Sequence, residues 1–166
     1  MSTRPVAPAA GTGWKIVGLG TYLGRDDEIG LALVRELARD VEFAERCVLL
    51  DSADAATVAS LLLEWLRPVI LVDAANMDIA PGECRFFAGG DASIILKTSS
   101  VSTHGMGLAE GLELARTLGF DQSACIFGIQ PFDLAPGQGL TPEMTARFPS
   151  LLDALREACS VTRTES

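Results

Sequence analysis

The chain has 166 residues, which is enough for one well-filled domain and too few for two. Hydrophobic residues make up 48% and charged residues 21%, and this balance excludes global disorder. Acidic residues outnumber Lys and Arg by 22 to 13, giving a formal net charge of −9. Such a charge disfavours a nucleic-acid partner, because phosphate backbones are bound by clustered basic residues. No apolar run approaches the about 20 residues of a membrane-spanning helix, so we expect no membrane segment.

The N-terminal segment and the cysteines indicate the domain organisation and the compartment of the protein. Residues 1–13 are rich in Pro, Ala and Gly and lack the apolar region of a secretory signal, so we predict a flexible extension there. A single α/β domain is expected over residues 14–160. The four cysteines are widely spaced without a C-x-x-C pair, which favours free thiols over a disulfide frame or a zinc cage. Free thiols indicate a cytoplasmic protein.

The predicted elements alternate between buried strands and amphipathic helices. In chain order, we predict a strand over 14–20, a helix from Ile29 with its apolar face at Leu33, Val34 and Leu37, a strand over 47–50, a helix over 55–66 and a strand over 69–72. A turn at Pro81-Gly82 leads to a shorter strand over 83–87, which is expected to return beside the third strand.

The second half of the chain continues this alternation. Residues 89–103 are predicted to be irregular, followed by a helix over 105–118, a strand over 124–129 and a terminal helix from Pro142 towards Cys159. Thr141 is the predicted N-cap of that helix, and Pro149 is expected to kink or interrupt it. Near-continuous apolar strands separated by helices predict a three-layer α/β fold, a mostly parallel twisted sheet with helices on both faces and one short antiparallel strand.

The loop after the first strand begins Gly18-Leu19-Gly20, like a dinucleotide fingerprint. The third glycine of that fingerprint would fall at Leu23, and Gly24 is one place late. The acids at 26–28 also occupy the helix start where a pyrophosphate would lie, and their charge would repel it. These acids have two open interpretations: they cap the helix, or they belong to a functional site.

Two further residues attract attention by position. Asp73 directly follows a buried apolar strand, where side chains at the carboxyl end of a parallel sheet line the ligand crevice. A partly desolvated carboxylate there needs either a cation or loop amides as partners. His104 is the one histidine of the chain and stands at a predicted helix start, where the helix dipole favours the neutral ring that binds metals. A serine hydrolase is disfavoured because no G-x-S-x-G elbow is present.

Taken together, these segments resemble the nickel-iron hydrogenase maturation endopeptidases, most nearly the hydrogenase 3 or formate-hydrogenlyase type. The resemblance runs from about Lys15 to the terminal helix. It rests on four stretches in order, namely 18–30 with Gly18-Leu19-Gly20 and Asp26-Asp27-Glu28-Ile29-Gly30, Val72-Asp73-Ala74 with Met77 and Pro81-Gly82-Glu83, Ser102-Thr103-His104, and Gly128-Ile129-Gln130-Pro131. Two departures are Thr21, where the family usually has asparagine, and Asp51-Ser52-Ala53, where aspartate-glycine-glycine is common.

The resemblance implies a phosphorylase/hydrolase-like fold and an activity. By motif, Asp27, Asp73 and His104 correspond to the family's metal-sensing and catalytic residues. The implied reaction is one cut near the C-terminus of a hydrogenase large-subunit precursor after nickel insertion, with the nickel delivered within the substrate. Asp26 is open as a base or a helix cap.

The chemistry of this residue set agrees with a visiting metal. Two carboxylates and one imidazole make an incomplete, oxygen-rich site, a poor permanent cage for a divalent ion that prefers nitrogen or sulfur. Two other functions stay open. One is a maturation chaperone that binds the precursor tail without cutting it. The other is a nucleotide-binding protein, indicated by Gly18 and Gly20 in the first loop and by Asp51 as a ribose ligand.

Overall fold

A computed structural model describes residues 13–96 and 107–164 of the chain. Of the predicted extension 1–13, only Gly13 falls within these ranges, and His104 lies outside them. The strands are β1 (Lys15–Gly20), β2 (Cys47–Asp51), β3 (Val69–Ala74), β4 (Cys84–Ala88) and β5 (Ala124–Ile129). The helices are α1 (Ile29–Leu37), α2 (Ala55–Trp65), α3 (Ala92–Ile95), α4 (Leu108–Thr117) and α5 (Pro142–Thr164).

The strands form one sheet in the order β2-β1-β3-β5-β4. The first four of these strands are parallel to one another, and β4 pairs antiparallel with β5. This confirms the mostly parallel sheet with one short antiparallel strand. None of the described helices is both long enough and apolar enough to cross a membrane.

Helices cover both faces of the sheet because successive strand residues point to opposite sides. On β3, Ile70 and Val72 join the core beneath α1 and α5, whereas Val69 and Leu71 join the core beneath α2 and α4. The predicted apolar face of α1 is fully buried in the first of these cores. The two cores confirm the three-layer arrangement predicted from the continuous apolar strands.

The position of β4 differs from the prediction. The sequence suggested that this strand returns beside β3, but β3 already pairs with β1 on one side and β5 on the other. The segment after β3 therefore crosses the end of β5, where the Gln130 amide N–H donates to the Glu83 carbonyl at 2.9 Å. The chain then pairs with the free edge of β5.

Three local predictions are also corrected. Residues 89–95 are a 3-10 turn (Gly89–Asp91) followed by α3, rather than irregular chain. Helix α4 begins at Leu108, and residues 105 and 106 of the predicted helix lie outside the described ranges. Helix α5 continues through Pro149 without interruption, because its residues on both sides of the proline pack into the same core, among them Met144 and Leu151.

The glycines of the first loop allow a close approach of α1 to the sheet. Gly20 has φ +145°, and a Cβ there would collide with the Asp27 carbonyl oxygen. A Cβ on Gly30 would collide with the carbonyl oxygens of Leu19 and Val72. The glycine spacing that suggested a phosphate loop therefore serves backbone packing, since only glycine fits these contacts.

Candidate functional site: an acidic cleft at the carboxyl edge of the sheet

A cleft of about 310 Å³ opens at the carboxyl ends of the parallel strands. The chain leaves β1 towards β2 on one side and later reaches β3 on the other, so β1 and β3 flank the point where the strand order reverses. Open α/β sheets bind their ligands at this place. Four carboxylates line the cleft, and its described lining contains no Lys or Arg; the four are Asp27, Asp54, Asp73 and Asp133. The cleft therefore favours a cationic ligand.

Asp27 reaches the cleft from the 3-10 turn that follows β1 (Arg25–Glu28). Its backbone N–H donates to the Gly24 carbonyl at 3.0 Å, and its carbonyl accepts from the Thr21 N–H at 3.2 Å. These two bonds hold the backbone of Asp27 against the first loop. Its side chain is half-buried in the cleft wall.

Asp73 is the last residue but one of β3, the strand that lies next to β1 at the point where the strand order reverses. Its side chain lines the same cleft as Asp27. Burial raises the pKa of the Asp73 carboxyl well above its usual range, and the negative charge of Asp27 raises it further. The Ala74 N–H, which donates to this carboxyl, acts in the opposite direction on the same pKa. Two of the predicted site residues are thus brought into one cleft, close enough for their charges to interact. A cation between them would relieve both the burial cost and the repulsion.

Asp26 has a different role from its neighbour. Its carboxylate is fully buried and accepts hydrogen bonds from the backbone N–H groups of Phe132, Asp133 and Thr141 at 2.9, 3.1 and 2.8 Å. The Thr141 hydroxyl donates to the same carboxylate at 3.0 Å. Asp26 therefore neither caps α1 nor lines the cleft; it ties the first loop to residues 132–141 and to the start of α5.

The acids at 26–28 make no side-chain capping hydrogen bond to α1. No side chain caps α1, whose N-cap position is Glu28. Asp26 instead bonds to Thr141, which caps α5 as predicted by accepting from the Met144 N–H at 3.2 Å. The sequence could not distinguish these cases because the partners of Asp26 lie more than a hundred residues away.

Several cleft residues were not singled out from the sequence. The Asp54 side chain caps α2 by accepting from the Thr57 N–H at 2.7 Å, and this bond lowers the pKa of Asp54. Asn76 and Gln130 line the cleft and are hydrogen-bonded to each other at 3.3 Å. These residues all follow strand ends, which is the signal that could have identified them.

The third predicted ligand, His104, lies outside the described residues. Within the described ranges, no group of three or more His, Cys, Asp or Glu side chains is arranged to hold a metal ion. Asp27 and Asp73 offer two carboxylates, and such a pair of described ligands is incomplete for a resident transition metal.

Thr21 and Ser52, two residues that depart from the family pattern, contact each other. Ser52 has φ +57°, a left-handed conformation that glycine adopts without strain, and its hydroxyl donates to the Thr21 hydroxyl at 3.3 Å. Ser52 lines the cleft, whereas Asp51 is exposed and is not among the described lining residues. The lining therefore gives no support to Asp51 as a ribose ligand.

Comparison with known proteins identifies relatives of this chain. A family model described as hydrogenase maturation protease (HycI) matches residues 31–158. The chain is 28% identical over 149 residues to the hydrogenase 2 maturation protease of Escherichia coli, an alignment that covers 86% of this chain and 90% of the relative. It is 25% identical over 148 residues to a hydrogenase expression/formation protein, HupD, of Bradyrhizobium diazoefficiens, with 88% and 76% covered.

Solved structures agree with these sequence matches. The hydrogenase maturating endopeptidase HybD from E. coli superposes with a TM-score of 0.65 at 27% identity, covering 88% of this chain and 93% of that protein. The [NiFe] hydrogenase maturation protease HybD from Thermococcus kodakarensis gives the same TM-score of 0.65 at 23% identity, with 89% and 99% covered. The latter likeness concerns the fold alone.

Proposed function

Because the chain belongs to the hydrogenase maturation protease family, we propose that it removes the C-terminal extension of a nickel-iron hydrogenase large-subunit precursor once nickel is inserted. The chain is an endopeptidase, and thus a hydrolase, that processes a hydrogenase precursor. The proposal adds where the cut falls and what licenses it. The free state of all four cysteines supports the cytoplasm as the compartment.

The observation that carries the proposal is the pair of carboxylates in one cleft. Asp27 and Asp73 face the same space, and the charge of Asp27 disfavours ionisation of Asp73. A pair of this kind gains most from a divalent cation, since the ion stabilises both ionised carboxylates at once. The precursor would carry nickel into the cleft on its own ligands, and Asp27, Asp73 and His104 would complete its coordination.

The two carboxylates then act as a sensor of metal occupancy. Without nickel, the acidic cleft offers the precursor tail no cationic partner, and the tail binds weakly. With nickel, the same carboxylates hold the tail in one orientation, and orientation of the scissile bond is a large part of hydrolytic catalysis. The substrate-held ion also supplies Lewis acidity near the peptide bond.

The test is to incubate the enzyme with a purified precursor and to measure the mass of the precursor before and after incubation. The wild-type enzyme is expected to shorten the nickel-loaded precursor and to leave the nickel-free precursor intact. His104→Ala, Asp27→Asn and Asp73→Asn should each abolish the cut while the circular dichroism of the fold is retained. Asp51→Asn changes an exposed carboxylate outside the described lining and serves as the matched control, with processing expected at the wild-type rate.

Two outcomes would contradict the proposal. If the wild-type protein binds the nickel-loaded precursor and its mass does not change, the protein is a chaperone of the precursor tail. If His104→Ala processes the precursor at the wild-type rate, the assignment of the three ligands fails.

A further inference from the structure

Gln130 stands where β5 ends, and all of its hydrogen-bonding groups bind one neighbouring segment. Its backbone N–H donates to the Glu83 carbonyl at 2.9 Å, and its carbonyl accepts from the Gly82 N–H at 2.8 Å. Its side-chain Oε1 accepts from the Met77 N–H at 2.7 Å, and its Nε2 donates to Asn76 Oδ1 at 3.3 Å. One residue thus joins both ends of the crossover segment, residues 75–83, to the end of β5.

The orientation of both amides is determined by backbone donors. The Met77 N–H can only donate, so the Gln130 atom that faces it is the oxygen, and Nε2 must face Asn76. Asn76 Oδ1 also accepts from the Asp78 N–H at 3.2 Å, which identifies it as the oxygen in turn. The Gln130 side chain therefore has one arrangement that satisfies its partners.

Contacts other than the Gln130 bonds also restrain the crossover segment. It begins directly after Asp73 and Ala74, and the Ala75 N–H donates to the Ile129 carbonyl at 2.9 Å. Met77 is buried, and its sulfur lies so near Gly128 that a Cβ there would be 2.8 Å away. The segment thus leaves Asp73 in a direction set by its contacts with β5, and the side chain of Gln130 supplies two of them.

From this arrangement we propose that Gln130 is a positioning residue for the peptidase reaction. It holds the crossover segment, which follows Asp73 and carries Asn76, against the end of β5, so that this wall of the cleft keeps the geometry that engages a metal-loaded precursor tail. The inference rests on the function proposed above. Since each polar group of Gln130 is occupied by this segment, its role is to orient the cleft wall and not to transfer a proton to the substrate. Residues that orient metal-binding carboxylates typically change metal affinity or activity about 10–100-fold when replaced.

The decisive measurement compares binding of nickel-loaded and nickel-free precursor. The wild-type enzyme is expected to prefer the loaded form, and Gln130→Ala should reduce this preference about tenfold or more, because Asn76 and the segment that follows Asp73 are no longer held against the end of β5. Binding of the nickel-free precursor should be unchanged, and KM for the loaded precursor should rise accordingly. Gln130→Glu retains an acceptor for the Met77 N–H and should restore part of the preference, whereas Gln130→Met, which retains none, should not.

Gln138→Ala is the matched control, since it removes an exposed glutamine side chain from the loop that follows β5. It is expected to bind both precursor forms as the wild type does. Should Gln130→Ala fail to fold, Asn76→Ala carries the test, because it removes the longer of the two Gln130 side-chain bonds, together with the Asp78 N–H bond to Asn76, and keeps the shorter bond to Met77. Its preference for the loaded precursor should fall in the same direction by a smaller factor.

The results separate this inference from the proposed function. If the wild-type enzyme neither prefers nor cuts the nickel-loaded precursor, both fail together. If the wild type does so and the Gln130 and Asn76 variants retain its preference, the positioning role alone is overturned. A Gln130→Ala variant that loses affinity equally for both precursor forms would indicate a purely structural residue and would also overturn it.

Discussion

At the scale of single residues, the cleft makes ionisation of Asp73 unfavourable. Asp73 is held beside Asp27 at the end of a buried strand, and burial and the neighbouring charge together raise its pKa. A raised pKa in the folded state means that the folded protein binds a proton more tightly than the unfolded chain does. The contribution of Asp73 to stability is therefore complete below its unfolded pKa of about 4 and is lost as the pH rises through the folded pKa.

Replacing the Asp73 carboxyl by a neutral amide should remove this dependence of stability on pH. We expect Asp73→Asn, in the absence of precursor, to raise the free energy of unfolding at neutral pH, since the amide has no charge to be desolvated by burial or repelled by Asp27. The difference should vanish near a pH of about 4, where the wild-type carboxyl is protonated. Urea unfolding across this pH range provides the measurement, with the exposed α4 residue Glu113 changed to Gln as the control. A variant less stable than the wild type at neutral pH would contradict the raised pKa.

At the scale of elements, two loops on the cleft side of the sheet are joined by buried polar contacts. The Asp26 carboxylate binds residues 132–141, and the Arg25 N–H donates to the Gly137 carbonyl at 3.1 Å. By contrast, the side chains of Arg25 and Asp133 form an ion pair at 3.7 Å that is nearly half exposed. Buried hydrogen bonds to a charged group stabilise far more than an exposed ion pair does.

This contrast predicts unequal effects of two neighbouring substitutions. Asp26→Asn would turn an amide NH₂ towards backbone donors, so we expect it to lower the free energy of unfolding by about 2–4 kcal/mol. It should also speed amide hydrogen exchange at Phe132, Asp133 and Thr141. Arg25→Asn suits the φ of +50° at that position, keeps the backbone bond to Gly137 and loses the half-exposed ion pair, and should cost about 0.5 kcal/mol or less. Equal losses in denaturant unfolding would show that the Asp26 contacts are not the main connection between the loops.

At the scale of the whole molecule, two cores isolate the thiols from solvent. Burial raises the pKa of Cys125 and Cys159 to about 12 and that of Cys47 to about 11. The pKa of Cys84 is raised as well, again mainly by burial. None of the four cysteines lines the described cleft. The described cleft therefore offers no thiolate nucleophile for the peptidase reaction.

Thiol titration should report this packing directly. Near neutral pH, Cys125 and Cys159 of the native protein are expected not to react with a disulfide reagent on the timescale on which a free thiol reacts completely. Cys47 and Cys84, which are half-buried, should react slowly. All four should react at once in denaturant. Rapid reaction of Cys125 or Cys159 in the native protein would show that the core opens far more readily than its burial indicates.

The sequence by itself was sufficient for the architecture and for the family. Its continuous apolar strands, alternating with amphipathic helices, require a sheet buried on both faces, and this local pattern does not depend on distant contacts. The strand-end rule also placed Asp73 at the carboxyl edge of the sheet, and the resemblance to the family singled out Asp27 in the loop after β1. Their assignment as ligands together with His104 stays a prediction.

Only the tertiary structure gave the physical reason why Asp27, and not the adjacent Asp26, faces the cleft. The residue pattern around them does not separate the two aspartates, but the Asp26 carboxylate accepts from the amides of a loop more than a hundred residues away. The tertiary structure also decided that β4 pairs with β5, because both edges of β3 are occupied. It likewise decided the partners of Gln130, which lie in the crossover segment after β3. Such long-range pairings depend on which strands become neighbours, and no local pattern of residues encodes that choice.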